Sequence, residues 1–356
     1  MKLLVSALEP SSNEHLKILV KELPPEVELI GIFDESLGKP LYSPKEFSVM
    51  MFFDVLKKIF FFMKAQKQML ELAEQADKIL FLDSSSFHIP LGKKIKKKFP
   101  HKEIIYYILP QVWAWKSWRA KEIEATFDRL GAILPFEVKY YKNKAQYVGH
   151  PLMDTIKHFR HSVYGDGIIF MPGSRKSEIK RIFPVFVELA QKFFPNKKKI
   201  LVVPKIFSNA NLKEIYGKGV ENFEISFDAH KSLYMGEFAF ICSGTATLEA
   251  ALIGIPFVLG YKARNIEFQI LKKMVKVKYI GLANIFFNAL NGEEAGRGEK
   301  KLHPELLQDA LNAESLFEAY CKMDKQEFFT QASRLREYLG HGSAKTIALW
   351  LEDDVY

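Results

Sequence analysis

Cysteine is all but missing. Cys242 and Cys321 are the only two in 356 residues, too few for a disulfide framework, and no Cys-x-x-Cys pair or Cys/His cluster marks a structural metal site. A reducing, cytoplasmic setting is the expectation. No apolar run reaches the roughly 18 residues of a spanning helix. The opening run, residues 3–8, ends at Glu9, which is too short for the apolar core of a secretory signal and suits a buried first strand. There is no Walker A sequence and no Gly-x-Gly-x-x-Gly after the first strand, which disfavours P-loop kinases and NAD enzymes. No Asp-x-Asp pair follows a strand, so a metal-chelated nucleotide-sugar site is not expected. Helix-turn-helix, zinc-finger and RNA-binding aromatic signatures are lacking too, which argues against a nucleic-acid partner.

What is present is the composition of an ordinary folded protein, with 48% hydrophobic and 26% charged residues. The net charge of +9 admits nucleic acid, an anionic membrane or an anionic small substrate and does not choose among them. The length suits two domains of about 150–200 residues each. Short apolar runs alternate with longer helical patterns, the signature of βαβ units and parallel sheet. Strands are expected at 3–8, 27–33, 79–82, 104–108 and 132–134, then at 167–171, 200–204, 238–242 and 256–261. The polar segment from Gly149 to Gly167 separates the two series. It places an N-terminal domain at 1–155 and a C-terminal domain at 156–339, with a helix near 340–356 packing back on the first.

Two turns carry chemistry. In Phe170-Met-Pro-Gly-Ser-Arg-Lys176 a strand enters a tight turn and then a helix, whose free N–H groups and dipole favour an anion. Gly173, Ser174 and Arg175 form either a phosphate site, with a planar guanidinium for the oxygens, or a plain strand–helix turn with a surface arginine. Cys242-Ser-Gly-Thr-Ala-Thr-Leu-Glu249 repeats the logic: Gly244 admits a ligand to the backbone, and Ser243 and Thr245 supply hydroxyls. Glu249 suits a ribose diol or supports the helix dipole. Two such turns in one domain point to a nucleotide diphosphate. A metal-independent transferase, meeting the leaving diphosphate with arginine and helix ends, fits them.

The segment from Tyr107 to Arg119 (Tyr-Ile-Leu-Pro-Gln-Val-Trp-Ala-Trp-Lys-Ser-Trp-Arg) resembles the Tyr-Val-Ser-Pro-x-Val-Trp-Ala-Trp-Arg segment of lipid-A-disaccharide synthases. Ile133-Leu-Pro-Phe-Glu137, Val148-Gly-His-Pro-Leu-Met-Asp154, the Pro-Gly-Ser-Arg turn, Ser243-Gly-Thr-Ala-Thr-Leu-Glu249 and Tyr279-Ile-Gly-Leu-Ala-Asn284 resemble later motifs of that family in the same order. The resemblance implies a GT-B fold of two Rossmann-like domains facing a central cleft, with no cofactor. It implies inverting transfer from UDP-2,3-diacylglucosamine to 2,3-diacylglucosamine 1-phosphate, and Asp83 as the general base. It also implies a substrate-binding role for Asn284. Glu9 and Ser11 match the family's Gly-Glu-x-Ser-Gly-Asp loop, in which Asn13 here replaces the aspartate. Leu82-Asp-Ser-Ser-Ser-Phe-His88 lacks the second aspartate of the family's Ile-Asp-Ala-Pro-Asp-Phe-Asn pattern and ends in His88.

Residues 47–63 are too apolar for a solvated helix and too interrupted for a spanning one. Part is core. The rest, with Phe52, Phe60 and Phe61 flanked by Lys57, Lys58, Lys64 and Lys67, suits a patch dipping into lipid, and Lys93 to Lys98 add a second basic cluster. The acyl-chain substrates that the resemblance implies place such contact at the cytoplasmic face of an inner membrane. Competing readings are a UDP-N-acetylglucosamine 2-epimerase, a peptidoglycan N-acetylglucosaminyltransferase, or a basic nucleic-acid-binding protein. Homo-oligomerisation is left open.

Overall fold

The computed structural model of the chain describes residues 1–50, 55–114, 117–242, 244–264 and 277–353, without the side chains of 48–50 and 55–58. Phe52, Trp115, Ser243 and the side chains of Lys57 and Lys58 therefore lie outside the described residues. The chain divides into two compact units, Met1–Thr155 with Leu339–Tyr356, and Ile156–Tyr338.

The first unit holds β1 (Lys2–Ala7), β2 (Glu28–Ile32), β3 (Lys78–Leu82), β4 (Ile104–Tyr107), β5 (Arg129–Ala132) and β6 (Ala145–Tyr147). They form one sheet in the order β2-β1-β3-β4-β5-β6, every pairing parallel. Helices cover both faces, which is why the central strands are apolar throughout rather than alternating. Leu4, Ile79 and Phe81 point to one face, against Ala65 and Met69 of helix Val55–Leu72 and Ile95 of helix Ser85–Lys98. Leu3, Val5, Leu80 and Leu82 point to the other, against Leu16 and Leu19 of helix Pro10–Val20 and Ile347 and Leu351 of helix Ala344–Glu352. Burying each of these side chains larger than alanine is worth about 1.5–3 kcal/mol. The C-terminal helix is also tied by its start. Asp154 Oδ2 accepts from the backbone N–H of Ser343 at 2.9 Å and of Ala344 at 3.2 Å. Gly149, at φ +100°, packs its bare Cα against the Gly342 carbonyl, where a Cβ would collide.

The second unit repeats the plan with β7 (Gly167–Met171), β8 (Lys198–Val202), β9 (Glu224–Ser226), β10 (Gly236–Ile241), β11 (Phe257–Tyr261) and β12 (Glu305–Leu307). Their order is β12-β11-β10-β7-β8-β9, again parallel throughout. In helix Lys176–Phe193 the three-and-four spacing predicts one apolar stripe of Ile179, Ile182, Phe183, Phe186, Ala190 and Phe193; the first five are buried, while Phe193, in the last turn, is only partly so. The strand expected at 132–134 lies at Arg129–Ala132 instead. Strands β6, β9 and β12 were not expected. Each is a three-residue edge strand, partly polar and partly exposed, and so lacks an apolar run.

Burial holds three imidazoles neutral, His88 near a pKa of about 4 and His150 and His303 near about 3. An unfolded histidine titrates near 6.5. Below that value the unfolded chain binds more protons, so stability present above pH ~6.5 is lost as pH falls toward about 4. The melting temperature is therefore expected to drop between pH 7 and pH 5 in scanning calorimetry. Buried Glu137, whose pKa burial raises, contributes with the opposite sign. The decisive reading is therefore the imidazole NMR signals of the folded protein: a shift of the His88, His150 and His303 rings between pH 7 and pH 5 would mean that they are not kept neutral.

Candidate active site

In doubly wound sheets, ligands bind beyond the carboxyl ends of the strands where the strand order reverses. In the first sheet that point lies between β1 and β3, and in the second between β7 and β10. Glu9 and Asp83 follow the first pair. Gly173 to Arg175 and Gly244 to Thr245 follow the second. Each pair of turns comes together because the strands before them are hydrogen-bonded neighbours, Ala7 opposite Leu82 and Ile241 opposite Met171.

Asp83 leaves β3 in the left-handed region (φ +56°), and so does Ser84 (φ +43°). Ile108, at the end of the adjoining β4, has φ +61°. Among the described residues only one other non-glycine residue, Gln308, has positive φ. Strain gathered at neighbouring strand ends is a mark of a working site. Burial raises the Asp83 carboxyl above the ordinary aspartate range, opposed by the Ser84 backbone N–H. Glu9 is raised as well, first by burial and then by the negative charge of Asp83, so the two carboxylates sense each other. Ser11 is exposed on the first turn of helix Pro10–Val20. Asn13 is buried: it donates to the carbonyls of Ala7 (2.7 Å) and Glu9 (2.9 Å) and accepts from Asp34 N–H (2.7 Å). It braces the loop rather than replacing an acid.

The second unit carries a cavity of about 530 Å³ lined by Gly173, Ser174, Arg175, Gly244, Thr245 and Glu249, among others. Gly173, at φ +112°, makes room for Glu178, whose Oε2 would sit 2.8 Å from a Cβ there. Gly244, at φ +108°, has open space where a side chain would be. The helices Lys176–Phe193 and Thr245–Ile253 both start at this cavity, and among the described residues neither has a side-chain N-cap. Their first N–H groups suit an anion. Arg175 is anchored to Glu178 at 3.0 Å, yet its side chain remains 78% exposed. Glu249 lies 3.7 Å from His230 Nε2, and the contact raises the His230 pKa. His230 and Lys205 line the cavity and escaped the sequence analysis. The only signal was their place just after the β9 and β8 strand ends.

Other expected residues lie elsewhere. Asn284 is fully buried, with its amide committed to the His303 carbonyl and Glu305 and its oxygen to the N–H groups of Leu302 and His303. No bonding capacity is left over for a ligand, so the expected binding role gives way to a structural one. Phe61 packs edge-on to Tyr42 and Phe47, at centroid distances of 5.2 and 5.0 Å, as part of the core margin. Phe60 points outward, 70% exposed. The basic cluster on helix Ser85–Lys98 is partly neutralised by Lys93–Glu122 and Lys96–Asp128 pairs, each at 2.6 Å. Trp113 is buried against Phe136. No helix among the described residues is long and apolar enough to cross a membrane.

The lipid-A-disaccharide synthetase family matches residues 3–348. The chain belongs to the lipid-A-disaccharide synthase family. The Helicobacter pylori lipid-A-disaccharide synthase is 59% identical over 350 residues, 97% of this chain and 96% of that protein. The Campylobacter jejuni enzyme is 48% identical over 372 residues, 98% and 99% of the two chains. Membership makes the chain a UDP-sugar-dependent glycosyltransferase of lipid A biosynthesis. Among solved structures, the calicheamicin glycosyltransferase superposes with a TM-score of 0.62 at 13% identity, covering 100% of this chain and 99% of its own. The Neisseria meningitidis UDP-GlcNAc 2-epimerase, bound to UDP-GlcNAc, scores 0.58 at 11% identity and covers 99% of both chains. The fold is GT-B. At such identities the epimerase shares the fold alone, and the family match displaces the epimerase, peptidoglycan and nucleic-acid readings.

Proposed function

We propose that the chain transfers the sugar of UDP-2,3-diacylglucosamine to 2,3-diacylglucosamine 1-phosphate with inversion, giving the β-1,6-linked disaccharide 1-phosphate and UDP. The observation that carries the reading is Asp83, a carboxylate held on a strained turn at a strand-order reversal with its pKa raised by burial. Asp83 takes the proton of the acceptor 6-hydroxyl as that oxygen bonds to the anomeric carbon. The bond from that carbon to the diphosphate breaks in the same displacement, so no covalent enzyme intermediate forms. The leaving UDP is met by Arg175 and by the N–H groups around Gly173 and Gly244, without a metal. Glu249, oriented by His230, accepts from the ribose hydroxyls. Acyl chains bring both substrates from a lipid surface. Ile59, Phe60 and Met63, with Lys64 and Lys67 beside them, form the contact with the cytoplasmic face of the inner membrane.

Purified protein given both lipid substrates should yield UDP and disaccharide in equal amounts by mass spectrometry, with a β linkage by NMR. An α linkage would exclude the single displacement. Arg175→Ala should weaken UDP and donor together. A charge-assisted bond is worth roughly 1.5–3 kcal/mol, or about a ten- to hundredfold rise in Kd by calorimetry. Unchanged affinity would return Arg175 to a surface partner of Glu178.

A further inference from the structure

Beneath the turn after β3, two buried side chains converge on one atom, the carbonyl oxygen of Asp83. His88 Nδ1 lies 2.7 Å from it and Tyr106 Oη 2.8 Å. A carbonyl only accepts, so both groups donate, and His88 carries its proton on Nδ1. Its Nε2 is then bare and accepts from the Ser6 hydroxyl at 2.8 Å. Ser6, His88 and Tyr106 are all fully buried. The imidazole stacks on Phe81 (4.7 Å between centroids, planes 11° apart), and the Tyr106 ring lies 4.6 Å from that of Phe127. By name these are a serine, a histidine and an aspartate, but they are not a nucleophile set. The serine is sealed from solvent, and the histidine meets a main-chain carbonyl, not the carboxylate.

What the arrangement does is grip a backbone that would otherwise relax. Asp83 and Ser84 are consecutive residues with positive φ, and neither is glycine, so their conformation must be imposed from outside. We propose that His88, seconded by Tyr106, is a positioning residue that clamps the Asp83 carbonyl and so fixes the direction of its carboxylate. This rests on Asp83 being the base. With the clamp released, the turn returns to an ordinary backbone conformation and the carboxylate swings off the acceptor hydroxyl. Donor binding, which belongs to the other unit, is untouched.

The test uses full-length His88→Ala, His88→Asn and Tyr106→Phe beside Asp83→Asn, with kcat, KM, UDP affinity and melting temperature measured for each. His88→Ala should lower kcat on the order of 10²-fold, as misplacement of a reacting group does, while donor KM and UDP affinity hold. Asparagine at 88 places a side-chain N–H where Nδ1–H stood and should recover most of that loss. Tyr106→Phe should reduce kcat less than His88→Ala. It also keeps the question answerable if the cavity left by alanine prevents folding. A folded Tyr106→Phe or His88→Ala protein with wild-type kcat overturns the clamp, and so does His88→Asn as impaired as His88→Ala. If Asp83→Asn itself keeps turnover, the base assignment fails first. An inactive Asp83→Asn beside a fully active Tyr106→Phe overturns the clamp alone.

Discussion

Asp83→Asn is expected to lose about 10²–10⁴-fold in turnover, the usual contribution of a general base, with UDP affinity unchanged and no fall in melting temperature. The stability half of this follows from the direction of the pKa shift. A carboxyl whose folded pKa lies above its unfolded value contributes stability below the unfolded value and loses it as pH rises through the folded one. In its ionised, working form Asp83 is therefore a net cost to the fold. Asparagine removes that cost, tolerates positive φ and leaves the clamped carbonyl in place. A structural aspartate would give the reverse, a lower melting temperature with activity lost only through unfolding. The same shift sets a pH signature. The base works when ionised, so kcat/KM should rise with pH through a value above the ordinary aspartate range. That limb should vanish in the residual activity of Asp83→Asn. A variant with near-wild-type turnover would remove Asp83 from the chemistry.

Much of this was legible because parallel strands covered on both faces announce themselves as apolar runs, and the loops that follow them carry the site. The apolar run at 167–171 is β7 itself, and the turns after β7 and β10 are marked by their glycines and hydroxyl residues without reference to strand order. Their convergence was not legible, because adjacency of Ile241 and Met171 is a property of strand order and not of spacing. Nor was the left-handed turn at Asp83. Ser84 carries none of the usual left-handed signals of glycine or asparagine, and the side chains that hold the turn come from β1, β4 and the following helix. Asn284 shows the opposite failure. An asparagine at the end of the Tyr279-to-Asn284 segment looks the same in sequence whether it meets a ligand or is consumed by Leu302, His303 and Glu305. Short edge strands such as Glu224–Ser226 escaped because half of each faces water.

The phenylalanine run is where sequence and structure together make the sharpest forecast. Composition says only that some of residues 47–63 are core and some are not. The phase of helix Val55–Leu72 divides them: Phe61 and Phe62 pack against the core, while Ile59, Phe60 and Met63 stand 49%, 70% and 59% exposed. Three large apolar side chains exposed beside Lys64 and Lys67 support the proposed contact with a lipid surface. Phe60→Ser should leave the melting temperature almost untouched, since little burial is lost, yet sharply reduce co-sedimentation with vesicles rich in anionic lipid. Phe60→Ser with Met63→Ser should abolish it at moderate salt. Phe61→Ser should instead lower the melting temperature, because it breaks the edge-on contacts with Tyr42 and Phe47. High salt should weaken whatever binding the wild-type protein shows, because lysines supply the long-range attraction. Turnover of a soluble short-chain donor should be the same in Phe60→Ser as in wild type, while turnover of vesicle-borne substrate falls with binding. Equal vesicle binding by wild type and the double variant at low salt would leave the patch without this role.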